Sequence, residues 1–126
     1  DEQIRIAIEL EAMRRTRKQL EKEGWKVIDR SSSCPYDFEC SKGSIIKFVE
    51  VKGTQHEGER IILTYNEVQH ALSNRDNMML SILSNVEIEY LHQNEIRVKA
   101  GRLEIINPWK IKESKLKPKD YYYDVT

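Results

Sequence analysis

The sequence predicts an α/β domain built on a mixed sheet. Three observations point there. Residues 1–23 carry apolar side chains at helical spacing. Three strand-like stretches follow, at residues 25–29, 36–40 and 44–52. A helix with a clear start signal at Thr64 then separates them from the strongly apolar run of residues 78–83. The order is helix, three strands, helix, strand. At 126 residues the chain suits one domain with a sizeable core. Charged residues make up 33% and apolar ones 39%, as expected of a globular domain with a wet surface. The net charge is zero, so any nucleic-acid contact must rest on local patches and not on the charge of the whole chain.

In the first helix, Ile6, Leu10, Met13 and Leu20 recur at spacings of three, four and seven, and Ile4 and Ile8 widen that stripe. Gly24 is a natural stop. Glu9, between Ile6 and Met13 on the helical surface, lies at the edge of the stripe. Arg14, Arg15 and Lys18 are candidates for contacting nucleic acid. The competing account is a solvated face balanced by Glu9, Glu11, Glu21 and Glu23, which zero net charge favours.

Residues 31–35 form a serine-rich loop closed by Pro35. Asp37 stands near the start of the strand at residues 36–40. Residues 41–44 suit a hairpin turn into the strand at residues 44–52. Strand side chains alternate, so Glu50 and Lys52 point one way while Val49 and Val51 point the other. The hairpin brings Asp37 toward Glu50, provided the register does not slip. Buried charges are costly unless they pair or hold a metal. Converging carboxylates are oxygen ligands of the kind Mg²⁺ prefers, and a neighbouring lysine can neutralise developing negative charge or orient a water.

The loop at residues 53–59 is polar and carries His56, either an accessory group for a proton or phosphate or an uninvolved loop residue. Residues 60–63 suggest another strand. Thr64-Tyr65-Asn66-Glu67 has capping-box spacing, which gives Glu67 a structural task and no assigned chemistry. Gln69, with His70 beside it, is the accessory candidate one turn further on. Residues 86–91, 95–100 and 102–106 suggest shorter or edge strands, with turns at Gln93-Asn94 and Ala100-Gly101. The domain is expected to span residues 1–126, with a core at 1–91 and additional strands and a tail at 92–126. That tail carries lysines and then Tyr121, Tyr122 and Tyr123. It suits either a single nucleic-acid strand, with aromatics stacking on bases, or tyrosines packed back on the domain.

Asp37, twelve intervening residues and then Glu50-Val51-Lys52 resemble the motif of the PD-(D/E)XK nuclease superfamily. Gly24-Trp25-Lys26-Val27 ahead of it, Gly53 after it and Thr64-Tyr65-Asn66-Glu67 beyond resemble one branch more closely, the NO VEIN C-terminal-like domain. The resemblance runs from Glu9 to about Ser84. It implies a restriction-endonuclease-like core and a Mg²⁺-dependent endonuclease (Mn²⁺ as a substitute) acting on DNA, in restriction or defence. Asp37, Glu50 and the Val51 carbonyl would hold the metal, Lys52 would serve the scissile phosphate, and Glu9 would complete the site, with Glu11 as its substitute. The alternative is a non-catalytic module that binds nucleic acid or protein. Other domains of a parent protein and a second copy of the chain are the further partners considered. The chain starts within a helical pattern and without methionine, so we expect it to be part of a longer protein. Cys34 and Cys40 suit reduced thiols of an intracellular protein, and no apolar run approaches the roughly 18 residues of a membrane span.

Overall fold

The computed structural model describes residues 1–126. Helix α1 (Glu2–Lys22) begins on Asp1, whose carboxylate accepts from the backbone amides of Gln3 and Ile4 at 2.7 and 3.3 Å. It ends before Gly24, which takes a left-handed φ of +97° that a glycine adopts at little cost.

The buried face of α1 is Ile8, Ala12, Thr16 and Leu20, every fourth residue. This corrects the expected stripe, because Ile6 is 44% and Leu10 66% exposed. The small Ala12 and Thr16 let the helix approach the sheet closely. The Thr16 and Ser81 hydroxyls lie 2.7 Å apart and satisfy each other in the core. Rotating the stripe turns Glu9 outward.

The five strands are β1 (Lys26–Asp29), β2 (Phe38–Lys42), β3 (Ile45–Gly53), β4 (Met78–Tyr90) and β5 (Ile96–Ile106). They lie side by side in chain order. β1–β2, β2–β3 and β4–β5 are antiparallel, and β3–β4 is parallel, so the sheet is mixed as expected. A parallel pair needs a crossover. Residues 54–77 supply it and contain helix α2 (Tyr65–Ser73).

Four expected elements differ. The strand expected at residues 36–40 is Phe38–Lys42, so Asp37 precedes it, and Ser41 and Lys42 are strand, not turn. Residues 60–63 form no strand: β3 already has a neighbour on each side, so this segment runs as open crossover, with Leu63 packed beneath α2 and Ile62 exposed. Residues 78–83 and 86–91 belong largely to the single 13-residue strand β4, bent by a bulge near Ser84 where Asn85 has φ 52°. Ala100-Gly101 is strand interior, not a turn. A Cβ at Gly101 would lie 2.9 Å from Leu83 Cδ1, so the glycine makes room for that side chain. Gln93 and Asn94 do make the β4–β5 turn, both at positive φ.

Each face of the sheet has its own apolar cluster. Val49 and Val51 of β3 join Ile8, Ala12 and Leu20 of α1, together with Phe38, Met79 and Leu83. On the other face Phe48 packs with Ala71, Met78, Val68 and Ile111 beneath α2. The chain after β5 returns across this second cluster, where the Trp109 amide donates to the Met78 carbonyl at 2.7 Å. Tyr121, Tyr122 and Tyr123 stand fully out in solvent and do not pack back on the domain. Both cysteines are unpaired. No helix is long and apolar enough to cross a membrane.

Gly53 ends β3 directly beneath α1, and a Cβ there would meet Ile8 Cγ2 at 2.6 Å and the Ile8 carbonyl oxygen at 3.3 Å. Gly53→Ala should therefore cost about 1–3 kcal/mol, read as a lower urea midpoint. An unchanged midpoint would mean that α1 can ride higher on the sheet.

Candidate functional site

The site forms where β2 gives out beside the end of β3. Phe38 is the first residue of β2 paired with β3, opposite Val49. Just before it, the Asp37 amide donates to the Val49 carbonyl at 2.9 Å, and Asp37 Oδ2 accepts from the Val51 amide at 2.8 Å. A side chain thus takes over from a backbone ladder that has ended. Val51 remains tied down on that side, and Glu50 and Lys52 emerge together on the face covered by α2.

Glu50 is only 2% exposed. Lys52 Nζ lies 3.5 Å from Glu50 Oε1 and 3.1 Å from Glu67 Oε1. The Asp37 and Glu67 carboxyl groups lie near enough to Glu50 to act on its charge. The structure therefore brings together Asp37, Glu50 and Lys52, and adds Glu67.

This crowding sets the charges. Burial, and then the neighbouring Asp37 charge, push the Glu50 carboxyl up to about 10. Asp37 is also raised by burial, against the opposing hydrogen bond from the Val51 amide. Burial works against ionised Glu67 too, but the Thr64 amide, Glu50 and Lys52 together hold it below its ordinary value. Burial pulls the Lys52 amine down, and the charges of Glu50 and Glu67 more than offset this, leaving it raised. Glu50 is thus the carboxyl group of the cluster that most favours its proton, while Lys52 is a full cation. The cluster is short of positive charge.

The remaining candidates lie elsewhere. Glu9 is exposed, pairs with Arg5 at 3.0 Å and takes no part in the ion pairs of the cluster. Glu11, its substitute, is held by Arg14 and Arg15 at 2.7 Å each, and these guanidiniums bring its carboxyl down to about 2 against the effect of burial. Arg15 also donates to the Gly101 carbonyl at 3.2 Å. With Arg14 and Arg15 tied to their own helix, only Lys18 of that patch points freely to solvent. Gln69 is exposed and makes no side-chain hydrogen bond. Its neighbour His70 is the one turned inward, stacked on Tyr36 at 4.6 Å and edge-on to Phe48 at 5.1 Å. Burial lowers its pKa, and its Nδ1 has no partner.

Two open grooves flank the cluster. One, of about 380 Å³, lies between the serine loop and the start of α2 and is lined by Ser31, Ser32, Ser33, Asn66 and Glu67. The other, of about 490 Å³, is lined by Lys52, His56, Arg60 and Ile62. His56 is exposed there, and its backbone pins the loop by donating to Thr54 Oγ1 at 3.0 Å and accepting from Asn85 at 2.8 Å.

Glu67 is the member that the sequence pattern did not reveal. Its capping role is present: Thr64 Oγ1 accepts from the Glu67 amide at 3.1 Å, and Glu67 Oε1 accepts from the Thr64 amide at 2.9 Å. The available signal was topological. A parallel crossover sets the first turn of its helix near the carboxyl end of the strand it leaves, where α/β folds gather ligands.

Among known proteins, the model of the family described as "Protein NO VEIN, C-terminal" matches residues 8–100. That span includes Asp37, Glu50, Lys52 and Glu67. Neither the curated proteins nor the solved structures gave a match.

Two stability measurements test this geometry. Thr64→Ala should lower stability by about 1 kcal/mol through the lost cap, as read by chemical denaturation. The second concerns Glu50. Between the ordinary carboxyl value of 4.5 and about 10, the folded chain binds a proton that the unfolded chain has released. Folding stability therefore falls as pH rises through that window. In EDTA, Glu50→Gln should match wild type below pH 4.5 and be more stable above it. The gap should reach about 1–3 kcal/mol in mildly alkaline buffer. Parallel pH–stability curves for the two proteins would show that Glu50 is not held protonated.

Proposed function

The chain belongs to the NO VEIN C-terminal family, and we propose that it is a nuclease domain of the PD-(D/E)XK type. In this proposal it is a Mg²⁺-dependent endonuclease that hydrolyses DNA phosphodiester bonds in restriction or defence against foreign DNA. One observation carries the proposal: Asp37, Glu50 and Lys52 meet at the end of β3, with a half-buried lysine cation 3.5 Å from a buried carboxyl group. The element order of helix, three antiparallel strands, helix and parallel strand supports it.

The donor set fits a hard divalent cation. Asp37, Glu50 and the Val51 carbonyl offer oxygen alone, as Mg²⁺ prefers. Glu50 holds a proton in a cluster short of positive charge, and a cation can replace that proton. No three histidine, cysteine or acidic side chains are grouped to hold a metal, so the proposed site rests on two carboxylates and one carbonyl. When bound, such an ion supplies Lewis acidity and lowers the pKa of a bound water.

The chain's own groups do the rest. Lys52 is raised in pKa and stays charged, so it serves as a hydrogen-bond donor and cation, not as a base. Placed against the scissile phosphate, it opposes the negative charge that grows on the phosphate oxygens. Asp37 fixes the strand that presents the other two, through its bond to the Val51 amide. Glu50, once free of its proton, accepts from a water. DNA affinity is a separate matter. The chain is neutral and the arginines of α1 are paired with its own glutamates, so most of the grip is expected from other domains or partners.

Lys52→Ala should abolish cleavage, by about 100-fold or more, while leaving DNA affinity nearly intact. Asp37→Ala should also stop cleavage, with weaker Mg²⁺ binding by calorimetry. Both are measured in the parent protein. Undiminished cutting by Lys52→Ala would move the chemistry away from this site. A parent that binds DNA and cuts none with Mg²⁺ or Mn²⁺ would favour a non-catalytic binding module.

A further inference from the structure

We propose that Glu67 is the positioning residue of Lys52, and that the bond it accepts from the Thr64 backbone amide holds its carboxylate in place. This deepens the nuclease proposal and rests on its placing of Lys52 at the scissile phosphate.

A lysine has a flexible four-carbon stem, and holding its ammonium in one place costs side-chain entropy. Something rigid must hold it. Glu50 is the more distant partner, at 3.5 Å, and it is a proposed metal ligand. Its carboxyl group is taken up by the cation once one binds. Glu67 is closer, at 3.1 Å, and is not needed as a ligand. Its Oε1 accepts from two donors, Lys52 Nζ and the Thr64 amide at 2.9 Å. The Glu67 amide in turn donates to Thr64 Oγ1 at 3.1 Å. The carboxylate is therefore fixed at both its backbone and its side-chain end by the first turn of α2. The turn that starts the helix is also the rest that aims the lysine. Glu67 acts through Lys52 and touches no reacting atom.

The two tasks can be separated. Glutamine serves a capping box as glutamate does, so Glu67→Gln keeps the cap and removes the charge facing Lys52. Thr64→Ala removes the hydroxyl of the cap and keeps that charge. The ammonium group of a lysine gives a resolved ¹H–¹⁵N resonance when hydrogen bonds slow the exchange of its protons. In ¹⁵N-labelled protein, the Lys52 resonance should be present in wild type and in Thr64→Ala, and lost in Glu67→Gln. The thermal midpoint should fall in Thr64→Ala and hold in Glu67→Gln. Calorimetry should give Glu67→Gln a Mn²⁺ affinity within about twofold of wild type, and its kcat on DNA should fall about tenfold or more with KM unchanged. An unchanged Lys52 resonance in Glu67→Gln overturns the proposal. So does a loss of Mn²⁺ affinity of about tenfold or more, which would make Glu67 a ligand. If wild type cuts no DNA while the resonance behaves as expected, the nuclease assignment fails and the anchoring of Lys52 by Glu67 stands.

Discussion

The hydrogen bond from the Val51 amide to the Asp37 carboxylate, at 2.8 Å, is the contact on which the rest of the site depends. Strand amides must find acceptors, and β2 starts at Phe38, too late to supply one to Val51 from its backbone. Asp37 fills that gap. The bond joins the two strands where pairing would otherwise fray, and it fixes their register. A slip of one residue would send Glu50 and Lys52 into the apolar cluster under α1 and bring Val49 and Val51 out under α2. The same carboxylate then faces Glu50, and their closeness, together with burial, keeps a proton on Glu50. Register, burial and protonation state follow from one donor and one acceptor.

Much of this was legible in the sequence because it rests on short-range rules. Alternation alone sorted Glu50 and Lys52 from Val49 and Val51. Spacing alone placed the cap at Thr64. What escaped was set by contact between distant segments. The buried face of α1 runs through Ala12 and Thr16, residues that a search for large apolar side chains passes over, and they are selected by the closeness of Gly53 and Ser81. Glu9 was assigned to the site by the family resemblance, and it turns away as the buried face of the helix shifts. Residues 60–63 have strand-like composition but no open neighbour to pair with. Gly101 suggests a turn in one dimension and, in three, makes room for Leu83. Glu67 had one sufficient task in its local sequence, so nothing there pointed to its second.

The charge distribution separates two kinds of surface. On α1, Arg5, Arg14, Arg15 and Arg17 each face a glutamate one turn away, and such exposed pairs are worth little and hold little. Around β3, Glu50 and Glu67 share one lysine, with Asp37 close by and Glu50 itself buried. The same residue types are thus neutral decoration on one element and a concentrated imbalance on another. Only the second is paid for by the packing of two apolar clusters around it.

The sheet order repeats the chain order, with a single crossover. Three of the four strand pairings are antiparallel neighbours in the chain, and two of these close through short connections. The fourth, β3 with β4, must close a loop of more than twenty residues before any pairing rewards it. Asp37, Glu50 and Lys52 sit on the local hairpin, whereas Glu67 rides on the long loop. The cluster is therefore split between a local part and a distant one, and the three residues on the hairpin can come together before the chain has committed to its topology.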